Sequence, residues 1–141
     1  MADSKYGKYI VTELKAPDAV MAALGEYARF GKRILWMDSN VVEGAFQMNC
    51  SWYLKPTTRG PAAHSHDVDE IIGFFGNNPE DPYDLGGEIE FWLEDEKYLI
   101  DKTAMIFVPA GMKHCPLILR KVDRPIFHFS TITSGNYTQQ K

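Results

Sequence analysis

The sequence predicts an all-β protein, a sandwich or barrel of short strands behind one short N-terminal helix. Three observations predict it. Met48–Lys55 and Glu88–Leu93 alternate apolar with polar residues, the period of a strand. Further short apolar runs follow one another, separated by proline, glycine and asparagine turn signals. Helical periodicity occurs once, near residues 17–30. With 141 residues, 45% of them hydrophobic, the chain is expected to be a single domain with a real core. Its expected parts are an N-terminal arm over 1–40, a barrel over 41–133 and a tail over 134–141.

Each element has its own signal. Tyr9-Ile10-Val11-Thr12 is a short strand candidate. Pro17 and Asp18 suit the first turn of a helix, where a missing N–H costs nothing and an acid favours the dipole. Val20, Leu24 and Tyr27 continue it at helical spacing through about Phe30, and Gly31 is the expected stop. Ile34-Leu35-Trp36-Met37 is an apolar run ahead of the turn Asp38-Ser39-Asn40. In the next strand Met48, Cys50, Trp52 and Leu54 share one face, and Asn49, Ser51, Tyr53 and Lys55 the other. Pro56 and the stretch Thr57–Pro61 end it. The run His64–Phe75 comes next, then a polar loop from Gly76 to Gly87. In Glu88–Leu93, Ile89, Phe91 and Leu93 oppose Glu88, Glu90 and Trp92. Tyr98–Ile100, Ala104–Val108, Pro116–Leu119 and Ile126–Thr133 are the remaining strands, with a turn at Pro109-Ala110-Gly111.

Bulk properties narrow the function classes. The net charge is -4 and no segment concentrates Lys or Arg, so nucleic acid is not an expected partner. No apolar run approaches the ~20 residues of a membrane span, and a membrane is not expected either. Two cysteines, Cys50 and Cys115, do not make a disulfide framework. Met1-Ala2-Asp3-Ser4-Lys5 leads into no apolar segment of a secretory signal. A cytoplasmic protein is the expectation.

Chemistry concentrates in two patterns, His64-x-His66-x-x-x-Glu70 and Pro109-x-Gly111-x-x-His114. Alternate residues of a strand face the same way, so His64, His66 and Glu70 are expected to share a face. His114 would join them from another strand, beyond a Pro-x-Gly turn. Imidazole and carboxylate donors without thiolate suit one divalent transition metal: Fe, Mn, Ni, Cu or Zn.

These patterns resemble the two motifs of the cupin family, and the resemblance covers roughly Val41 to Thr133. It implies a double-stranded β-helix, a jelly-roll-like conical barrel of two antiparallel sheets with the metal inside. It implies His64, His66, Glu70 and His114 as the ligands. The motif glycines depart from the pattern: Thr58 and Thr103 stand where the opening glycines would fall, Gly76 comes early, and Ile118 replaces a final Asn. The loop from Asn77 to Gly87 is longer than many of the family carry and is expected to be a lid or a dimer contact. The implied function is a metal-dependent enzyme acting on a small organic molecule. Its chemistry would be dioxygenase-like, or that of an isomerase, lyase or decarboxylase. The alternative is a non-catalytic module, a metabolite sensor or storage-type protein. A homodimer is the implied assembly.

Other residues carry two readings each. His128 differs in parity from Phe127 and Phe129, so it faces the cavity or the outside, as a general base or as a structural histidine. Asn49, Ser51 and Tyr53 line the pocket or form a solvated strand face. Lys55, Arg59 and Lys113 lie near the expected mouth, to pair with a substrate carboxylate or simply in solvent. Cys115 is expected to point away from the metal, and Cys50 to sit in the core with Met48 and Trp52. Trp36 and Trp52 are core or dimer residues ahead of substrate platforms. Asp67 and Asp69 are expected in solvent, with support of the metal ligands as the lesser reading.

Overall fold

The computed structural model describes residues 4–138. Eight strands form two antiparallel sheets: β1 (Gly31–Met37), β2 (Gln47–Tyr53), β3 (Glu70–Phe75), β4 (Asp84–Leu93), β5 (Glu96–Lys102), β6 (Ala104–Val108), β7 (His114–Val122) and β8 (Ile126–Ile132). One sheet has the order β1-β2-β8-β3-β6 and the other β5-β4-β7. The core lies between them. It is built from Tyr53, Ile72, Phe74 and Ile126 of the larger sheet, facing Leu85, Ile89, Phe91 and Leu119 of the smaller.

The register sorts side chains by parity, as a pleated sheet must. Gln47, Ile132, Glu70 and Val108 form one cross-strand row facing inward, and Asn49, Ser130, Ile72 and Ile106 form the next. In β2 it is therefore the polar face, Asn49, Ser51 and Tyr53, that is buried. Met48, Cys50 and Trp52 turn outward, so the expected core position of Cys50 is overturned: it is only half-buried. Trp52 packs on the outer face against Phe127, ring centroids 5.3 Å apart.

The N-terminal region differs most from expectation. Tyr9–Thr12 is no strand; a single 3-10 turn, Gly7–Tyr9, stands there instead. The helix expected over 17–30 is two short helices, α1 (Asp18–Ala22) and α2 (Leu24–Tyr27). Ala23, at φ -90 and ψ 0, separates them, and neither helix buries a residue or carries a side-chain cap. Helices this short hold through tertiary contact rather than propensity. Gly31 does not merely stop a helix. It opens β1, where a Cβ would come within 2.7 Å of the Trp52 carbonyl oxygen. The sheet thus begins at Gly31, inside the stretch expected to be an arm. Of the expected loop, Asp84–Gly87 already belongs to β4.

Candidate metal centre

The segment carrying the first pattern is not a regular strand. His64 makes an isolated antiparallel bridge with His114, and β3 begins only at Glu70. The bridge is reciprocal: His64 N donates to His114 O at 3.1 Å, and His114 N to His64 O at 2.9 Å. Gly111 N then donates to His66 O at 2.8 Å, and Glu70 pairs with Val108 where the β3–β6 ladder starts. The two patterns therefore lie side by side, stapled backbone to backbone. Their turn is closed by Met112 N donating to Pro109 O at 3.1 Å, with Gly111 at φ +86. A glycine meets that left-handed backbone without the usual Cβ penalty. Asp69, though exposed, accepts the Ala110 N–H at 2.9 Å and braces the same turn, so it does more than face solvent.

All four expected ligands are buried and converge. The His64 and His114 rings lie 4.3 Å apart between centroids, and His66 is 5.1 Å from each. Glu70 Oε1 is 3.0 Å from His114 Nε2 and 3.2 Å from His66 Nε2. Each ring turns its Nδ1 toward a backbone carbonyl: His64 to Ala62 at 2.8 Å, His114 to Met112 at 3.5 Å, and His66 to Thr138. An Nδ1–H held by a carbonyl leaves Nε2 as the lone-pair face, the arrangement metal-bound histidines use.

The donors fit a cation. His66 Nε2 and Glu70 Oε1 are fully buried and, although 3.2 Å apart, neither has a well-formed hydrogen bond among the described residues. Two atoms each about 2.1 Å from one ion are roughly 3.0 Å apart at a right angle and roughly 3.4 Å apart at a tetrahedral one. His66, Glu70 and His114 offer ligand atoms all within 4.8 Å of one another, and so do His64, His114 and Cys115.

Electrostatics favour the same arrangement. Burial pulls His64 below its usual value. At His66 burial acts in the same direction but is outweighed by the Glu70 carboxylate and the Thr138 carbonyl, which raise it. Burial alone would raise Glu70; the imidazoles of His114 and His66 overcome it and hold the carboxyl at about 2. Glu70 is therefore a carboxylate at neutral pH.

Cys115 does not point away. Its φ of +78 interrupts strand alternation, and its buried side chain lines the cavity. Burial, then the Glu70 charge, pushes the thiol up to about 12.

The centre opens into a cavity of about 590 Å³ lined by side chains of both sheets and by α2. Asn49, Tyr53 and His128 line it. Ser51 is wholly buried on the same strand face but does not reach the cavity wall. Lys55 and Lys113 are exposed and outside the lining, because β2 ends at Tyr53 and Lys113 precedes β7; Arg59 does line the mouth. None of the described residues from Asn77 to Gly87 lines it.

His128 faces inward, and its ring lies between Tyr53 (4.9 Å) and Phe74 (5.3 Å). Its Nδ1 is 3.1 Å from Gly73 O. Burial is the main cause that lowers it to about 4. Tyr53 is pushed well above its usual value, again chiefly by burial, and stays a phenol.

Arg33 is a cavity residue that sequence parity did not reveal. It would oppose Trp36 on a regular strand, yet both line the cavity. A register shift between Arg33 and Leu35 reverses the alternation.

No protein-family model matches the chain, and no curated protein matches it. Among solved structures it is similar to an oxalate oxidase, at 12% identity over 99% of this chain and 66% of that one, with a TM-score of 0.57. Recombinant oxalate oxidase in complex with glycolate matches alike, at 12% over 98% and 65%, TM-score 0.57. KdgF from Halomonas sp. is similar at 17% over 72% of this chain and 76% of that one, TM-score 0.44. The chain spans about two thirds of the oxalate oxidase chain. The oxalate oxidase structures have the cupin fold, and at such identities the likeness is one of fold.

Proposed function

We propose that this chain, a cupin domain by its fold, is a metal-dependent enzyme acting on a small organic molecule. One divalent ion would be held by His64, His66, Glu70 and His114. The observation that carries this is the convergence of buried imidazole and carboxylate donors with unmet lone pairs at the edge of a cavity. Among the described residues His66 Nε2 and Glu70 Oε1 have no well-formed hydrogen bond, and a buried polar atom left unmet is costly.

Bound there, Fe, Mn, Ni, Cu or Zn would supply Lewis acidity, and Fe(II) also the electrons for O2 chemistry. The chain's own groups set the rest. His128, neutral at pH 7 with Nδ1 engaged by Gly73, offers Nε2 as the proton acceptor. The Tyr53 phenol, stacked on it, remains a proton donor. Phe74 of the larger sheet and Leu85, Phe91 and Leu119 of the smaller would keep the inner end apolar. Dioxygenation, isomerisation, elimination and decarboxylation all use these parts.

A homodimer and a cytoplasmic location belong to the same proposal. The outer face of the larger sheet exposes Met48, Ile71, Met105 and Phe107, with β6 as its open edge. Both cysteines are free, as suits a reducing compartment. No described helix is long and apolar enough to cross a membrane.

Elemental analysis of protein purified without chelator or nickel resin tests the metal. About one ion per chain, with turnover in a substrate screen that chelation abolishes, is expected. Tight metabolite binding without turnover would make the chain a sensor instead.

A further inference from the structure

We infer that the substrate is a small organic acid whose carboxylate pairs with Arg33 while its other end faces the His64–His66–Glu70–His114 cluster. This deepens the enzyme reading above and rests on it.

Arg33 is a half-buried cation on the cavity wall, and no described acid forms an ion pair with it. A guanidinium without a carboxylate partner can take up an incoming anion. Its position is built rather than incidental. Arg33 Nη1 donates to Asn49 Oδ1 at 3.0 Å, and Asn49 Nδ2 in turn donates to Ser130 Oγ at 3.0 Å. The guanidinium lies 4.5 Å from the Tyr27 ring centroid and 5.6 Å from that of Trp36. These contacts hold the plane in one orientation and leave other N–H donors of its fork uncommitted.

The wall charges point the same way. Glu26, at the mouth, is already paired with Arg29 at 3.2 Å. A divalent ion beside the single Glu70 carboxylate would leave a positive excess, and Arg33 adds to it. An anion is the complementary guest, and a planar two-oxygen anion matches a guanidinium fork. Asn49 and Ser130 occupy the inward row next to that of Glu70, about 7 Å along the strands. Arg33, His64, Glu70 and His114 line one cavity, so a single small molecule can touch both the anchor and the cluster.

The test uses a set of two- to five-carbon hydroxy and keto acids, each with its neutral amide, titrated into the purified chain by calorimetry. At least one acid should bind ten-fold or more tighter than its amide. Arg33→Met should remove that preference and leave metal content unchanged. Arg33→Lys, which keeps the charge but not the fork, should bind the acid at least three-fold weaker, and it decides the matter should Arg33→Met not fold. The inference is overturned if no acid beats its amide, if the preference survives in Arg33→Met, if Arg33→Lys binds like wild type, or if inorganic phosphate binds as tightly as the best acid. Metal content is measured on the same samples. An Arg33-dependent preference in protein that takes no metal would sink the metalloenzyme reading alone.

Discussion

The imidazole of His128 stacks on the phenol ring of Tyr53, centroids 4.9 Å apart and planes within 14°. Phe74 covers the opposite face at 5.3 Å and 22°. A titratable ring is thereby enclosed between two aromatics in the core, and burial lowers it to about 4.

That enclosure makes stability depend on pH. The folded state holds His128 neutral down to about 4, whereas the unfolded chain protonates it near 6.5. Between those values the unfolded state binds more protons, so the His128 contribution is full above 6.5 and is lost as pH falls toward 4. Its size is about 3 kcal/mol. Denaturant melts from pH 4 to 7 should show this slope in wild type and a flatter one in His128→Phe. Equal slopes would assign the titration elsewhere.

Phe74 is wholly buried, and Phe91 lies 6.0 Å away across the core. Phe74→Ala should cost about 3–5 kcal/mol through lost burial and a cavity the sheets cannot close. Chemical denaturation measures it. A cost below about 1 kcal/mol would mean the inner end of the barrel is looser than its packing indicates.

His64→Ala, His66→Ala and His114→Ala should each lower metal affinity at least ten-fold, and His128→Ala should leave metal content intact. Metal titration with folding checked by circular dichroism decides. Full occupancy in any two of the first three would end the ligand assignment. Loss of metal in His128→Ala would move His128 onto the ion.

Ile71 pairs with Phe107 across β3 and β6, and both are exposed, as is Met105. If this face joins two copies, Phe107→Glu should shift the mass in light scattering from dimer to monomer without changing metal content. A wild-type chain that is monomeric at tens of micromolar would exclude the dimer.

Much of the fold was legible because it rests on period-two patterning. Ala104–Val108 was delimited from sequence, and β2, β4, β7 and β8 were each located with ends shifted by a few residues. The four converging side chains were legible too, although for a partly mistaken reason. His64 and His66 share a strand face only on paper; the reciprocal bridge to His114 and the turn at Gly111 bring them together. The N-terminal helix divides at Ala23, a residue type that ordinarily favours helix, so the residue type does not mark the break.

Residue types and spacing by themselves determined a β architecture and a donor set suited to a divalent ion. Tertiary structure alone decided which face of β2 is buried, that Cys115 turns inward, and that Arg33 reaches the cavity. Alternation fixes only relative sidedness along an unbroken strand. The absolute sense, and every reversal at a bulge or a left-handed residue, depends on which neighbouring strands supply the apolar surface to be covered.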